Sequence, residues 1–297
     1  MLGWRLTLGP VLIALVVGIF ALDARLGAAA PGLGVLAVLL AVRAAWELTN
    51  LLQASTQPPA FSLTAACSAA VVAANWLPQA GGGAAATGVA ALGPAMLALA
   101  LAVTVLLFNR VLRYREPGGN LEALGAELLI VCYVGVLLSL TAQLRWVAGA
   151  DWGYLPLGSV IVVTKCGDTA AYTFGHLFGR TKLAPRLSPG KTWAGAWGAL
   201  AGGTAGSVAW FHWGAGLLAT GRPEIAWYWS AIFGAIIAVV GLVGDLCESL
   251  IKRDVGRKDA APLLPGFGGL LDLLDSILFA GPVAYGLWLI LPWCSYS

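Results

Sequence analysis

Long apolar runs dominate the chain and set its fold class. A bilayer crossing takes about 20 apolar residues. Runs of that order cover residues 8–22, 31–52, 61–77, 87–109, 124–144, 156–177, 192–218, 226–250 and 276–294. They predict an all-α fold, a polytopic integral membrane bundle of about nine transmembrane helices. Polar breakers separate the runs. PGG at 117–119 interrupts the chain between the fourth and fifth, and GGGAAATG at 81–88 reads as a Gly/Ala connection on the outer side. The sequence shows no internal repeat of the kind that builds a carrier from two matched halves.

Composition agrees with the pattern. Of 297 residues, 59% are hydrophobic and only 10% are charged, where a soluble domain carries about a quarter. Mean hydropathy is +0.84. The charges that exist are unevenly placed. The N-terminus and the even-numbered connections hold Arg5, then Arg110, Arg113 and Arg115, then Arg180, Lys182, Arg186 and Lys191, then Lys252, Arg253, Arg257 and Lys258. The other side holds only Arg25, Arg145 and Arg222, with Arg43 and Lys165 inside spans. Basic residues favour the cytoplasmic side, so the N-terminus is expected in the cytoplasm and the C-terminus across the membrane. The run GPVLIALVVGIFAL is then a first membrane helix and not a cleaved leader. Cys67, Cys132, Cys166, Cys247 and Cys294 form no CxxC pair and read as small buried hydrophobes. With only His176 and His212 present, a His-rich metal site is excluded.

Against this background residues 245–275, DLCESLIKRDVGRKDAAPLLPGFGGLLDLLD, stand out for their charge. Asp245, Glu248, Ser249 and Lys252 fall at i, i+3, i+4 and i+7, one face of a helix. Asp245 lies inside an apolar run, where a carboxylate costs roughly 2.5–3.5 kcal/mol on insertion scales. It needs a cation, water, or an ion pair with Lys252 or Lys165. KRDVGRKD serves equally as an anchor to anionic headgroups. PGFGG at 265–269 is a turn, or a place where backbone approaches a ligand closely through Gly268 and Gly269. Asp272 and Asp275 open the last span at i, i+3. One acid there suits the helix dipole; two, together with Asp245, offer oxygens to a hard cation such as Mg²⁺. Carboxylates, Lys and Arg at one membrane face suit phosphoryl chemistry.

A second cluster, KCGDTAAYTFGHLFGRTKLAPRLSPGKTW, spans residues 165–193. Lys165 and Asp168 lie at i, i+3 and form either an intramembrane ion pair or part of a polar cavity. SPGKT looks like the tail of a P-loop, but Pro185 stands where the first glycine of that motif belongs. Lys191 and Thr192 still precede a helix, where backbone N–H groups attract phosphate. His176 reads as structural.

Together these residues resemble the phosphatidate cytidylyltransferases, or CDP-diacylglycerol synthases. The C-terminal signature runs Gly244-Asp245-Leu246, Glu248-Ser249, Lys252-Arg253, Lys258-Asp259, Pro265-Gly266, Gly268-Gly269, Asp272 and Asp275. The upstream DTAAYTFGHLFGRTKLAPRLSPGKTW is similar to a second segment of that family, so the resemblance covers roughly residues 165–280. It implies transfer of the cytidylyl group of CTP to phosphatidic acid, giving CDP-diacylglycerol and pyrophosphate, with Mg²⁺ as the cofactor and the number of metal ions, one or two, left open. It makes Asp245 and Asp272 the first metal ligands and Asp275 the third. Ser249, Lys252, Arg253 and Lys258 would hold phosphates, while Asp168 and Lys191 would line the nucleotide or metal side. Phe267, Leu273 and Ala194 depart from the family pattern, which usually has His, Arg and Glu there.

The resulting division is a scaffold of helices over 1–150 and a catalytic membrane region over 151–297. The expected partners are CTP, phosphatidic acid and membrane lipids, with no nucleic acid. Small residues such as GALAGGTAG at 198–206 allow close helix packing or a homodimer contact. Arg43 and Glu47, at i, i+4 in the second span, pair with each other or line a lipid entry path. The competing functions are a CTP- or ATP-dependent polyprenol-type lipid kinase and a membrane carrier or scaffold. A bacterial inner membrane is the expected location, with the site at the cytoplasmic face. The charge asymmetry makes a direct prediction. A single cysteine placed at Arg115 should react with a membrane-impermeant maleimide only in inverted vesicles, and one at Arg222 only in intact cells.

Overall fold

A computed structural model describes residues 2–54, 58–80, 88–149, 152–214, 225–257 and 268–293. Lys258, Asp259, Phe267, Arg222, Cys294 and most of the 81–88 connection lie outside the described residues. Helices dominate: α1 (Leu2–Leu26), α2 (Pro31–Leu51), α3 (Phe61–Ala73), α4 (Gly93–Arg113), α5 (Asn120–Ile130, continued through a π-helical stretch to Gln143), α6 (Leu155–Phe178), α7 (Trp193–Ala209), α8 (Trp227–Asp254) and α9 (Leu271–Ile290). Among the described residues, seven helices are long and apolar enough to cross a membrane, namely α1 to α5, α8 and α9. The other two expected spans are also helical. However, α6 carries Lys165 and Asp168 among its apolar residues, and α7 is 17 residues long before a π-helical turn, Trp210–Gly214, extends it. One feature departs from an all-helical chain. Lys182–Ala184 (β1) and Ser188–Thr192 (β2) form an antiparallel hairpin, with Lys182 opposite Thr192 and Ala184 opposite Ser188.

The chain divides into two compact units. The first contains residues 1–143 and 254–273. Its interior is organised by carboxylates that bond to helix starts. The first N–H groups of a helix have no partner within it, and in hydrocarbon no water replaces one. Asp23 accepts from the N–H groups of Gly32 (2.8 Å) and Leu33 (2.7 Å) at the head of α2. Just before it, Ala30 adopts a left-handed conformation, φ 46°, and its carbonyl accepts from Trp76 Nε1 at 3.1 Å. Glu127, fully buried on α5, pairs with Arg110 of α4 and accepts from the N–H of Ala60, which precedes α3. Glu47, fully buried on α2, pairs with Arg43 at 3.0 Å and accepts from Leu270 (3.0 Å) and Leu271 (2.9 Å) at the head of α9. The expected Arg43–Glu47 pair therefore exists, and its carboxylate has this additional duty.

Elsewhere in this unit Asn75 donates to Ser139 Oγ (2.8 Å) and accepts from Gln143 Nε2 (2.8 Å), a buried polar bridge between the 3-10 turn after α3 and α5. An apolar cluster of Cys67, Val71, Ala102, Leu106 and Val131 fills the space among α3, α4 and α5. At 117–119 the break expected from PGG is made by Gly118 and Gly119, both at positive φ (107° and 71°), a region that side chains disfavour. The four described cysteines are free, and only Cys67 is fully buried. Cys132 is exposed, contrary to the expectation of burial, because its position on α5 faces outward from the unit.

The second unit holds residues 144–253 and 274–297. Its helices approach so closely that side chains are excluded at the contacts. A Cβ on Gly198, Gly202 or Gly206 of α7 would come within 2.7, 2.3 and 2.8 Å of Phe174, Ala170 and Cys166 of α6. Gly203 meets Ala238, and Gly234 meets Ser207, so α8 seats against α7 in the same way. Small residues allow such backbone contact where no hydrophobic force separates helix from lipid. Thr192 caps α7 by accepting from the N–H of Gly195 at 3.1 Å, and Trp193 donates its N–H to Thr181. The hairpin is thereby fixed to the helix that follows it.

Capping should be measurable. Asp23→Ala leaves two N–H groups of α2 without their partner, a loss of about 1–2 kcal/mol on the scale of cap deletions. We expect a thermal midpoint in detergent lowered by several degrees, with helical content retained below the transition.

Candidate active site

The acids and bases expected to do chemistry come together mainly in the second unit. A cavity of about 470 Å³ opens among α6, α7, α8 and the hairpin. Asp168, Tyr172 and His176 of α6, Lys182 and Lys191 of the hairpin, Thr192, and Asp245 of α8 line it. Glycines 167, 175, 195 and 241 line it too and keep backbone accessible. Lys191 Nζ lies 2.8 Å from Asp245 Oδ2. This replaces the pairing with Lys252 or Lys165 considered from the sequence. Lys165 instead pairs with Asp168 at 3.0 Å, and Lys252 with Glu248 at 2.8 Å. Asp168 is therefore both an ion-pair partner and a cavity residue.

Behind the Lys191–Asp245 pair sits a carboxylate cluster. Asp245, Glu248 and Asp275 each present an oxygen, and all three oxygens lie within 4.8 Å of one another. Glu248 and Asp275 are buried. Two carboxylates about 5 Å apart at an effective dielectric near 20 repel by roughly 3 kcal/mol, so such a trio needs positive charge. Lys191 and Lys252 each neutralise one member. Asp275 also accepts from the N–H and Oγ of Ser276. An all-oxygen donor set in this spacing fits a hard divalent cation. The cluster depends on the approach of α8 to α9 at Gly244, where a Cβ would lie 2.7 Å from Phe279 Cβ and 2.9 Å from the carbonyl of Asp275.

Several other expected residues lie nearby in the same unit. Ser249 and Lys252 are buried on α8 beside the cluster. Arg253 donates Nε–H to the carbonyl of Leu187 at 3.2 Å, tying α8 to the hairpin turn. Asp272 belongs to the first unit, where its Oδ2 accepts from the N–H of Gly269 at 2.7 Å. Gly268 sits at φ +88°, and a Cβ on it would meet Asp272 Oδ2 at 2.6 Å, so the glycine is required on both counts. Of the positions where the family pattern is not followed, Ala194 lies in the first turn of α7 and Leu273 in the first turn of α9.

Comparison with known proteins identifies the family of the chain. The profile of the cytidylyltransferase family matches residues 4–291. The chain belongs to that family. It is 35% identical over 243 residues to a phosphatidate cytidylyltransferase of Pseudomonas aeruginosa, a match covering 80% of this chain and 81% of the relative. A phosphatidate cytidylyltransferase of Mycobacterium bovis is 34% identical over 177 residues, 59% of this chain and 53% of the relative. One from Brucella suis is 37% identical over 135 residues, 45% and 47% of the two chains.

Glu248 is the member of the trio that sequence reasoning did not choose as a candidate ligand. Its signal was present, since it shares a helix face with Asp245, but Lys252 one turn on gave it a ready partner. Tyr172, His176 and Lys182 were also not chosen. The approach at Gly244 is testable. Gly244→Leu should abolish Mn²⁺ binding, followed by electron paramagnetic resonance, while helical content is preserved. Gly286→Ala, on α9 with nothing within 4 Å of its added Cβ, should leave Mn²⁺ binding unchanged.

Proposed function

We propose that this chain transfers the cytidylyl group of CTP to phosphatidic acid, releasing pyrophosphate and forming CDP-diacylglycerol for phospholipid synthesis. The observation that carries the reading is the trio Asp245, Glu248 and Asp275 set against the cavity-lining Lys191, in a member of the cytidylyltransferase family. The reaction needs no covalent enzyme intermediate. An oxygen of the lipid phosphate bonds to the α-phosphorus of CTP, and the bond from that phosphorus to the bridging oxygen of pyrophosphate breaks. The burden on the protein is to bring two polyanions together and hold their charge, which is catalysis by positioning and electrostatics.

Asp245 and Asp275 are the proposed ligands of Mg²⁺, with Glu248 added by its place beside them and Asp272 retained from the family resemblance. When bound, the ion would neutralise phosphate oxygens and favour departure of pyrophosphate. Lys191 and Lys182 face the cavity and would bind phosphate, as would Lys252 and Arg253 in the last turn of α8 and Lys258 after it, with the hydroxyl of Ser249. Asp168 would hold Lys165 in place at the cavity wall. Backbone at Gly268 and Gly269 would meet substrate. The membrane-spanning character of the helices and the basic bias of the even-numbered connections support a multi-pass protein of a bacterial inner membrane, about nine spans in all, with the N-terminus and the site at the cytoplasmic face. There the water-soluble nucleotide meets the headgroup of a lipid.

The test is purified protein in detergent with phosphatidic acid, Mg²⁺ and CTP labelled at the α-phosphate. Labelled CDP-diacylglycerol is the expected product. Asp245→Asn should lower kcat at least about 100-fold, as loss of a charge-stabilising group in a phosphoryl-transfer site does. Lys191→Met should lower kcat/KM for CTP by a similar order. A lipid labelled only from γ-labelled nucleotide would indicate a kinase instead, and absence of CTP binding would overturn the nucleotide reading altogether.

A further inference from the structure

The head of α9 is held by a side chain from a distant part of the sequence. Glu47 of α2 is fully buried, and its two carboxylate oxygens accept one N–H each, from Leu270 and from Leu271. The next residue along α9 is Asp272, whose Oδ2 accepts from the N–H of Gly269. Three consecutive N–H groups at this helix start are thus satisfied, two by Glu47 and one by Asp272. One turn further along the same helix lies Asp275. Arg43 pairs with Glu47 at 3.0 Å, and its guanidinium stacks over the Trp46 ring at 4.1 Å, which fixes the carboxylate in turn.

A bidentate carboxylate on adjacent N–H groups sets the axial position and the rotation of a helix at its first turn. Those two quantities decide where Asp272, which belongs to the same unit as Glu47, points. A neutral amide at position 47 cannot reproduce the arrangement, because one of its two ends is a donor facing an N–H. Resting on the catalytic reading above, we infer that Glu47 is a positioning residue for Asp272, the acid in the first turn of α9. It touches neither substrate nor metal in this role. It fixes the helix turn that presents this candidate ligand, as residues behind a metal site fix ligand orientation.

Glu127 supplies the comparison. It is equally buried, equally paired with an arginine and also accepts from a backbone N–H at a helix start, but α3, the helix concerned, bears none of the candidate ligands. A purely structural role predicts that Glu47 and Glu127 behave alike.

The experiment compares full-length wild-type protein with Glu47→Gln, Glu47→Asp and Glu127→Gln in detergent. The Mn²⁺ dissociation constant is read by electron paramagnetic resonance, and turnover of CTP with phosphatidic acid is read separately. Glu47→Gln should weaken Mn²⁺ binding by roughly 10- to 100-fold, the range for residues behind a metal site, and raise the Mg²⁺ concentration that half-saturates turnover. Glu47→Asp keeps the charge but draws the oxygens back by one methylene; it should shift both in the same direction and serves if the glutamine variant does not fold. Glu127→Gln should lower the thermal midpoint and leave Mn²⁺ affinity at the wild-type value. The inference falls if both Glu47 variants bind Mn²⁺ as wild type does, if Glu127→Gln weakens binding equally, or if wild type binds no Mn²⁺. Mn²⁺ affinity that depends on Glu47 in a protein that does not turn over CTP would sink the proposed reaction and leave this role standing.

Discussion

The chain depends on one constraint: a polar group placed in hydrocarbon must find its partner within the protein. Water at the end of a soluble helix bonds to free N–H groups at little cost, but the bilayer interior offers none. The first unit meets the constraint with buried carboxylates. Asp23, Glu47 and Glu127 each bond to the backbone at a helix start, and Arg43 and Arg110 balance the latter two. One set of contacts therefore neutralises charge, satisfies backbone and fixes which helix lies against which.

The second unit meets the same constraint differently, and the difference is chemical. Its helices contact one another through glycine and alanine, and Asp168, Lys182, Lys191 and Asp245 face the cavity. Charges in this unit are matched to one another by Lys191–Asp245, Lys165–Asp168 and Lys252–Glu248. Pairs of this kind are reversible. A phosphate or a cation of the right charge can take over one partner's role. Asp23, Glu47 and Glu127 are thus bonded to main chain, while Asp245, Asp168 and Glu248 are held by lysine side chains.

Much of this was legible in the sequence. The helices follow from uninterrupted apolar runs, and Asp245 stands out because charge inside such a run requires a reason, with Lys191, Lys252 and Asp275 at the borders of the runs. The resemblance to the cytidylyltransferases rested on the same residues. What the sequence left hidden depends on contacts between distant segments. Nothing local marks Lys191 as the partner of Asp245, since the two are 54 residues apart in the chain while Lys252 shares a helix face with Asp245. RTKLAPRLSPGKT reads as a polar loop, and only the fold shows it closing into a hairpin that carries Lys182 and Lys191. Glu47 looked complete once Arg43 was found at i, i+4, because a local pair gives no sign that both oxygens also accept N–H groups from α9. Cys132 lay in an apolar run, and such a run in a membrane protein does not distinguish an inward face from one turned to lipid.

The Arg43–Glu47 pair also has a meaning during synthesis. Glu47 precedes its backbone partner Leu270 by 223 residues. At ribosomal speeds of about 5–20 residues per second, α2 waits on the order of 10–45 s before the head of α9 exists. Throughout that interval a carboxylate sits in a helix bound for the bilayer with its eventual partners not yet made. Arg43, one turn away on the same helix, is made first and needs no other segment to meet it. The pair lets α2 enter the membrane with its acid already neutralised, and the ribosome can complete the remaining helices before the final bonds close.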